Sequence, residues 1–246
     1  MILWILLFLA GIFAGAQNAL AGGGSFVTLG MLVIAGLDPR AANITSTIAL
    51  FPGQVATGYA GRHLTAGIGT LSFKALFILS LVGGVAGALL LLATPPTFFA
   101  GLLPWLVLFA TAVFFWGSFI RETRDGAPAL GSTAAAIAQF LIAIYGGYFG
   151  GGIGFLMMAV LTIAGMPVRN AAISKNVLAV SMNASAVAIF LFSQDVYWLH
   201  AAVLGSGGII GGLIGAALLP RVNERWLRIG VVALGIALTI GLFLRG

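Results

Sequence analysis

The chain is expected to fold as an all-α polytopic membrane protein made of two inverted five-segment repeats. Three observations carry that expectation. Of 246 residues, 61% are hydrophobic and 7% charged, with a mean hydropathy of +1.17, whereas a soluble globular chain carries about 25% charged residues. The heptapeptide Ile34-Ala35-Gly36-Leu37-Asp38-Pro39-Arg40 returns 129 residues later as Ile163-Ala164-Gly165-Met166-Pro167-Val168-Arg169. Upstream of each copy lies a glycine cluster, Gly22-Gly23-Gly24-Ser25-Phe26 and Gly150-Gly151-Gly152-Ile153-Gly154-Phe155, with Phe26 and Phe155 at the same offset. A duplicated, glycine-interrupted hydrophobic chain is the pattern of a secondary transporter, and the interruptions point to the binding site.

Apolar runs between polar breaks define the elements in order. The first half reads Ile2 to Ala21, Ser25 to Leu37, Asn43 to Tyr59, Leu71 to Leu92 and Phe98 to Ile120. The second reads Ser132 to Phe149, Gly154 to Met166, Ala171 to Phe192, Leu199 to Leu219 and Trp226 to Leu244. The second run of each half has only 13 residues, about 20 Å of helix against a hydrocarbon core of about 30 Å. Each is therefore read as the short arm of a hairpin whose glycine bend lies inside the membrane, where irregular backbone must be buried in protein or line a cavity. That leaves about eight full spans and two short broken or re-entrant helices. Repeat 1 covers residues 1–120 and repeat 2 covers 131–246, joined by a cytoplasmic linker at 121–130 that holds Arg121-Glu122-Thr123-Arg124-Asp125-Gly126-Ala127-Pro128. The two repeats form one transmembrane domain.

The first run is followed by Ala19-Leu20-Ala21, which resembles a signal-peptidase site. No Lys or Arg precedes the run, however, and Ala134 to Tyr148 is its partner in the second half, so a retained helix is expected. The glycines at Gly83 and Gly87, and at Gly207, Gly211 and Gly215, have small-xxx-small spacing and are assigned to helix packing.

Cations set the expected orientation. With the loops at Arg62 to Lys74, Arg121 to Asp125, Arg169 to Lys175 and Arg221 to Arg228 placed in the cytoplasm, nine of the eleven Lys and Arg lie there. Arg40, the Thr94-Pro95-Pro96-Thr97 and Ser193-Gln194-Asp195 turns and both termini then face the periplasm. An odd number of segments per repeat inverts the second copy. The formal charge of +6 is thus a matter of topology, and no nucleic-acid partner is expected.

Absences exclude other classes. There is no cysteine, hence no disulfide or thiolate metal site. No phosphate loop, His-Glu-x-x-His pattern or Gly-x-Ser-x-Gly elbow occurs, so neither an enzyme nor a cofactor is expected. The five acids, Asp38, Glu122, Asp125, Asp195 and Glu224, fall in loops or at segment ends, which leaves no buried carboxylate as a proton relay.

Several motifs taken in order and spacing carry a family resemblance. They are Gly22-Gly23-Gly24-Ser25-Phe26, then Ala42-Asn43-Ile44-Thr45-Ser46-Thr47 followed by Pro52-Gly53, then Tyr145-Gly146-Gly147-Tyr148-Phe149-Gly150-Gly151-Gly152 followed by Ser174-Lys175-Asn176-Val177-Leu178. Over essentially its full length the chain resembles the TauE/SafE family of sulfite and organosulfonate exporters. The resemblance implies transport of small sulfur-containing anions such as sulfite, sulfonates or thiosulfate across the bacterial inner membrane. A coupling ion, proton or sodium, is open.

An anion in low dielectric needs N–H donors and positive potential, and helix N-termini supply both. The bends at Gly22, Gly23, Gly24 and Ser25 and at Gly150, Gly151 and Gly152 each open a short helix and are the expected half-sites. A second polar cluster opens the third run of each half: Asn43, Ser46 and Thr47, answered by Ser174, Lys175 and Asn176. Asn43 reads equally as a helix N-cap, and the threonines as bonding back to their own helix. Lys175 reads as an anion-pathway cation or as a side chain snorkelling to the interface. Gln17, Asn18, Gln139, Tyr145 and Tyr148 are expected to line the path or to bond between helices. His63 and His200 read as interfacial, and Trp4, Trp105, Trp116, Trp198 and Trp226 as lipid or interface anchors. The expected mechanism is alternating access; the alternatives are an anion channel or facilitator and a membrane scaffold protein.

Overall fold

The structure, a computed structural model, describes residues 1–20, 23–60, 62–120, 130–218 and 224–244. Gly22, nearly all of the linker (121–129) and the Arg221 segment lie outside the described residues.

Among the described residues, ten α-helices follow the ten apolar runs. They are α1 (Ile2–Leu20), α2 (Gly24–Ile34), α3 (Pro39–Ala60), α4 (Phe73–Ala93), α5 (Pro96–Phe115), α6 (Ser132–Tyr148), α7 (Ile153–Ile163), α8 (Val168–Phe190), α9 (Trp198–Leu218) and α10 (Glu224–Phe243). The lengths of the two fives match closely: 19, 11, 22, 21 and 20 residues against 17, 11, 23, 21 and 20. Among the described residues four helical stretches are long and apolar enough to cross a membrane: Phe73–Ala93, Pro96–Phe115, Arg169–Phe190 and Trp198–Gly215. At 11 residues each, α2 and α7 are about 16 Å long and too short to cross.

The duplicated heptapeptide is a helix stop. In the first copy Gly36 N–H donates to Val33 O and Leu37 N–H to Leu32 O, both at 3.1 Å. In the second, Gly165 donates to Thr162 O at 3.1 Å and Met166 to Leu161 O at 3.0 Å. Gly36 and Gly165 hold φ of 95° and 90°, the left-handed residue that a Schellman ending requires. Leu32, Leu37, Leu161 and Met166 are all buried, the apolar contact that accompanies the motif. The third run starts earlier than the apolar pattern indicates. Asp38 Oδ1 accepts from Arg40 N–H at 2.9 Å, and α3 begins at Pro39, with Pro in the first turn where its missing N–H costs nothing. Asn43 therefore lies inside α3, which removes its reading as an N-cap.

Packing between helices comes in exchanged pairs. The helix α1 packs on α9 as α6 packs on α4; α9 also meets α3 as α4 meets α8; α3 meets α8, and α5 meets α10. Replacing the first five helices by the last five leaves this set of partners unchanged. Glycine makes the tightest of these contacts. A Cβ on Gly207, Gly211 or Gly215 of α9 would fall on the backbone of Phe8, Ile12 or Ala16 in α1. A Cβ on Gly83 or Gly87 of α4 would fall on the backbone of Phe140 or Ile144 in α6. Packing is thus the role of the four-spaced glycines. Lipid is as apolar as the core, so association here relies on close approach of backbones. The outward faces carry Val82, Leu89, Leu90, Leu213 and Ile240, all exposed, as a lipid-facing surface needs.

Two polar junctions mark the opposite ends of the bundle. At one, Arg40 Nη2 pairs with Asp195 Oδ2 at 2.7 Å, and its Nη1 donates to Thr94 O at 2.8 Å. At the other, Ala66 N–H donates to Ser174 Oγ at 3.1 Å and Ser132 Oγ to Ile68 O at 3.2 Å. Arg40, Thr94 and Asp195 thus share one end, as the cation pattern groups them, and the segments around Ala66 and Ser174 share the other.

Candidate functional site

The helices α3 and α8 cross between these ends. Gly58 of α3 lies against Asn176 and Val180 of α8, while Gln54, one turn earlier, reaches Asn183, two turns later, so the two helices run antiparallel. Their N-terminal halves extend to opposite ends of the bundle. The short helices α2 and α7 aim their N-termini at this crossing, and a cavity of about 140 Å³ lies between them.

Each short helix starts at a glycine in the left-handed region. Gly23 has φ 82° and Gly152 has φ 74°, positions at the repeat offset where a side chain would be strained. Phe26 N–H and Phe155 N–H each return 3.1 Å to the glycine carbonyl three residues back. The amides before them belong to first turns, which have no intrahelical acceptor. Those N–H groups and the helix dipole present partial positive charge at the cavity.

Of the residues singled out from sequence, Asn18 lines the cavity from the end of α1, and Gly23, Ser25, Gly150 and Gly152 line it from the bends. Asn43, Ser46 and Thr47 line it from α3, and Lys175 and Asn176 from α8. Gly24, Gly151 and Ser174 do not line it. Gly24 donates its N–H to Asn18 Oδ1 at 2.8 Å. Gly151 packs against the Phe149 ring. Ser174 is fully buried and accepts from Ala66 N–H.

The polar side chains around the cavity are mostly engaged. Asn43 Nδ2 donates to Tyr148 O at 3.0 Å, tying α3 to the end of α6. Ser46 Oγ and Thr28 Oγ1 are 2.5 Å apart. Thr47 bonds back to Asn43 O at 2.9 Å, the local bond expected of a threonine inside a helix. Gln139 Nε2 donates to Ser80 Oγ at 2.9 Å, an interhelical bond between α6 and α4. Lys175 is the single charged residue among those lining the cavity, and its Nζ would lie 3.5 Å from a Cβ on Gly154, in the first turn of α7. No carboxylate pairs with it among the described residues.

Sequence reasoning missed Gln54 and Asn183. Both line the cavity, and Asn183 Nδ2 donates to Gln54 Oε1 at 2.6 Å across the α3–α8 crossing. Asn183 is 4% exposed and its Oδ1 has no partner among the described residues. The available signal was their separation of 129 residues, the repeat offset itself. Phe149 and Phe155 supply apolar wall. Among the described residues no group of His, Cys, Asp or Glu is placed to hold a metal ion. Trp105, Trp116, Trp198 and Trp226 are exposed, and the His200 ring packs at a tilt of 55° against Trp4 with ring centroids 4.9 Å apart.

Comparison with known proteins follows the same full-length pattern. A family model described as sulfite exporter TauE/SafE matches residues 7–242. A probable membrane transporter protein, ORF9, of Sinorhizobium sp is 30% identical over 96% of this chain and 90% of its own length. A probable membrane transporter protein of Haemophilus influenzae is 26% identical over 95% of this chain and 92% of its own. The probable membrane transporter protein YfcA of Escherichia coli K12 is 27% identical over 90% of this chain and 82% of its own.

Proposed function

We propose that this chain, which belongs to the sulfite exporter TauE/SafE family, moves small sulfur-containing anions such as sulfite, a sulfonate or thiosulfate across the bacterial inner membrane by alternating access. The observation that carries the reading is the cavity at the α3–α8 crossing. Its wall combines the first turns of two helices with one cation, Lys175, and includes no acid. Such a wall favours an anion, and the polar atoms of Ser25, Asn43, Ser46, Thr47 and Asn176 add hydrogen-bonding groups to it. A volume of about 140 Å³ has room for a small ion such as sulfite.

Alternating access is supported by the exchanged pairs of helix contacts and by the antiparallel crossing of α3 and α8. These fit two inverted repeats with the site where they meet, the arrangement in which one repeat rocks against the other around a fixed site. In this reading the Arg40–Asp195 junction closes the periplasmic end, both termini are periplasmic and Lys74 is cytoplasmic.

Detergent-purified protein should be stabilised against heating by its anion, because a ligand that binds only the native state raises stability by RT ln(1 + [L]/Kd). Selective stabilisation by sulfite, thiosulfate or a sulfonate, and saturable flux of the same anion in proteoliposomes, supports the reading. Flux that rises linearly without saturation identifies a channel or facilitator instead. No stabilisation by any of these anions, with no flux, overturns it.

A further inference from the structure

The two short helices begin at equivalent bends, yet their N-termini are not equivalent. At α2 the Asn18 side chain accepts from Gly24 N–H at 2.8 Å, so one of the free donors of that first turn is already used. The residue at the repeat offset from Asn18 is Gly147, which has no side chain to do the same for α7. Around α7 the structure adds charge instead: Lys175 Nζ lies against Gly154 in its first turn. The residue at the repeat offset from Lys175 is Ser46, whose hydroxyl is held by Thr28.

We infer that the cavity is a one-sided anion site. The negatively charged group docks on the first turn of α7 and on Lys175, while the α2 end, closed by Asn18 and Thr28, forms a neutral wall. An ammonium placed against the positive end of a helix has two like potentials side by side, an arrangement that calls for an anion between them. The orphaned Asn183 Oδ1 on the same helix as Lys175 is a second, independent sign of an occupant: as an acceptor it takes an O–H of the ligand or a bridging water, leaving the anionic oxygens to Lys175 and α7. It is buried, lines the same cavity and has no partner among the described residues, although a buried polar atom is normally paired. Because α7, Lys175 and Asn183 all belong to the second half, that half carries the charge and the first half shapes the cavity. The inference rests on the anion-transport reading above and assigns the anion to one of its two half-sites.

The test compares sulfite affinity, read from the sulfite-dependent rise in melting temperature, in wild-type protein and three variants. Lys175→Arg keeps the charge and is expected to hold affinity within about threefold, and Lys175→Ser to lose at least about tenfold, as removal of a charge-assisted hydrogen bond implies. The exchange variant Lys175→Ser with Ser46→Lys moves the cation to the α2 side without changing net charge. On a one-sided site it stays as weak as Lys175→Ser. Wild-type affinity in the exchange variant overturns the inference and makes the site symmetric, and so does full affinity in Lys175→Ser. Absence of any sulfite effect in the wild-type protein, repeated with thiosulfate and methanesulfonate, overturns the anion reading together with it.

Discussion

Asn183 and Gln54 are joined by a 2.6 Å hydrogen bond and occupy the same position in the two halves of the chain, 129 residues apart. A contact between equivalent positions is what an axis relating the halves produces. It places the centre of the α3–α8 crossing at this amide pair, beside the cavity.

Removing one amide should cost more than removing both. Gln54→Ala leaves the buried Asn183 amide without this bond, worth about 1–3 kcal/mol. The double replacement Gln54→Leu with Asn183→Leu removes both polar groups. Thermal or denaturant unfolding in detergent should give a coupling of at least about 0.5 kcal/mol. Additive effects would mean that the two side chains do not bond.

The glycine seams should reject even one methyl group. Gly211→Ala puts a Cβ onto the Ile12 backbone, and Gly87→Ala puts one onto Ile144. No flexible side chain is available to yield, so α1 must part from α9, or α4 from α6, at a cost of about 1–3 kcal/mol. Gly212→Ala, with open space around its Cβ position, is the control on the same helix. Melting temperatures that fall for Gly211→Ala and Gly87→Ala, and not for Gly212→Ala, are the expected result.

A purely conformational cost is expected at Gly36. Its φ of 95° is unfavourable for a side chain, while nothing lies within 4 Å of its Cβ position. Gly36→Ala should lose about 1–2 kcal/mol, and Gly36→Asn less, because Asn tolerates the left-handed region better. Equal losses would show that packing, not backbone conformation, governs this stop.

The Arg40–Asp195 pair joins the start of α3 to the loop between α8 and α9. Arg40→Ala leaves Asp195 and the Thr94 carbonyl without their donor, and should lower stability and leave that end less tightly closed. The exchange Arg40→Asp with Asp195→Arg should recover part of the stability. Recovery of none would show that the carbonyl contacts outweigh the ion pair.

Orientation can be read directly because the chain contains no cysteine. Single cysteines at Thr97 and at Lys74 should label from opposite faces of intact cells, Thr97 with a membrane-impermeant reagent and Lys74 only after permeabilisation. The reverse result inverts the assigned topology.

The sequence alone determined the class of the protein and the positions of its described helices. Those features are local or periodic: composition, run length, and the Ile-Ala-Gly turn whose glycine stops a helix in both copies. It also placed Ser46, Thr47, Lys175 and Asn176 near the glycine bends, since a repeat offset carries one cluster onto the other. Tertiary structure alone decided which atoms meet. That Ser174 turns away to Ala66, that Asn18 closes the first turn of α2, that Gln54 finds Asn183 and that Arg40 finds Asp195 all depend on helix rotation and register. In a soluble protein an apolar stripe would reveal the rotation. Here lipid and core are both apolar, so the faces of a helix differ little in hydropathy, and only the packing of glycine against backbone fixes which polar side chains point at one another.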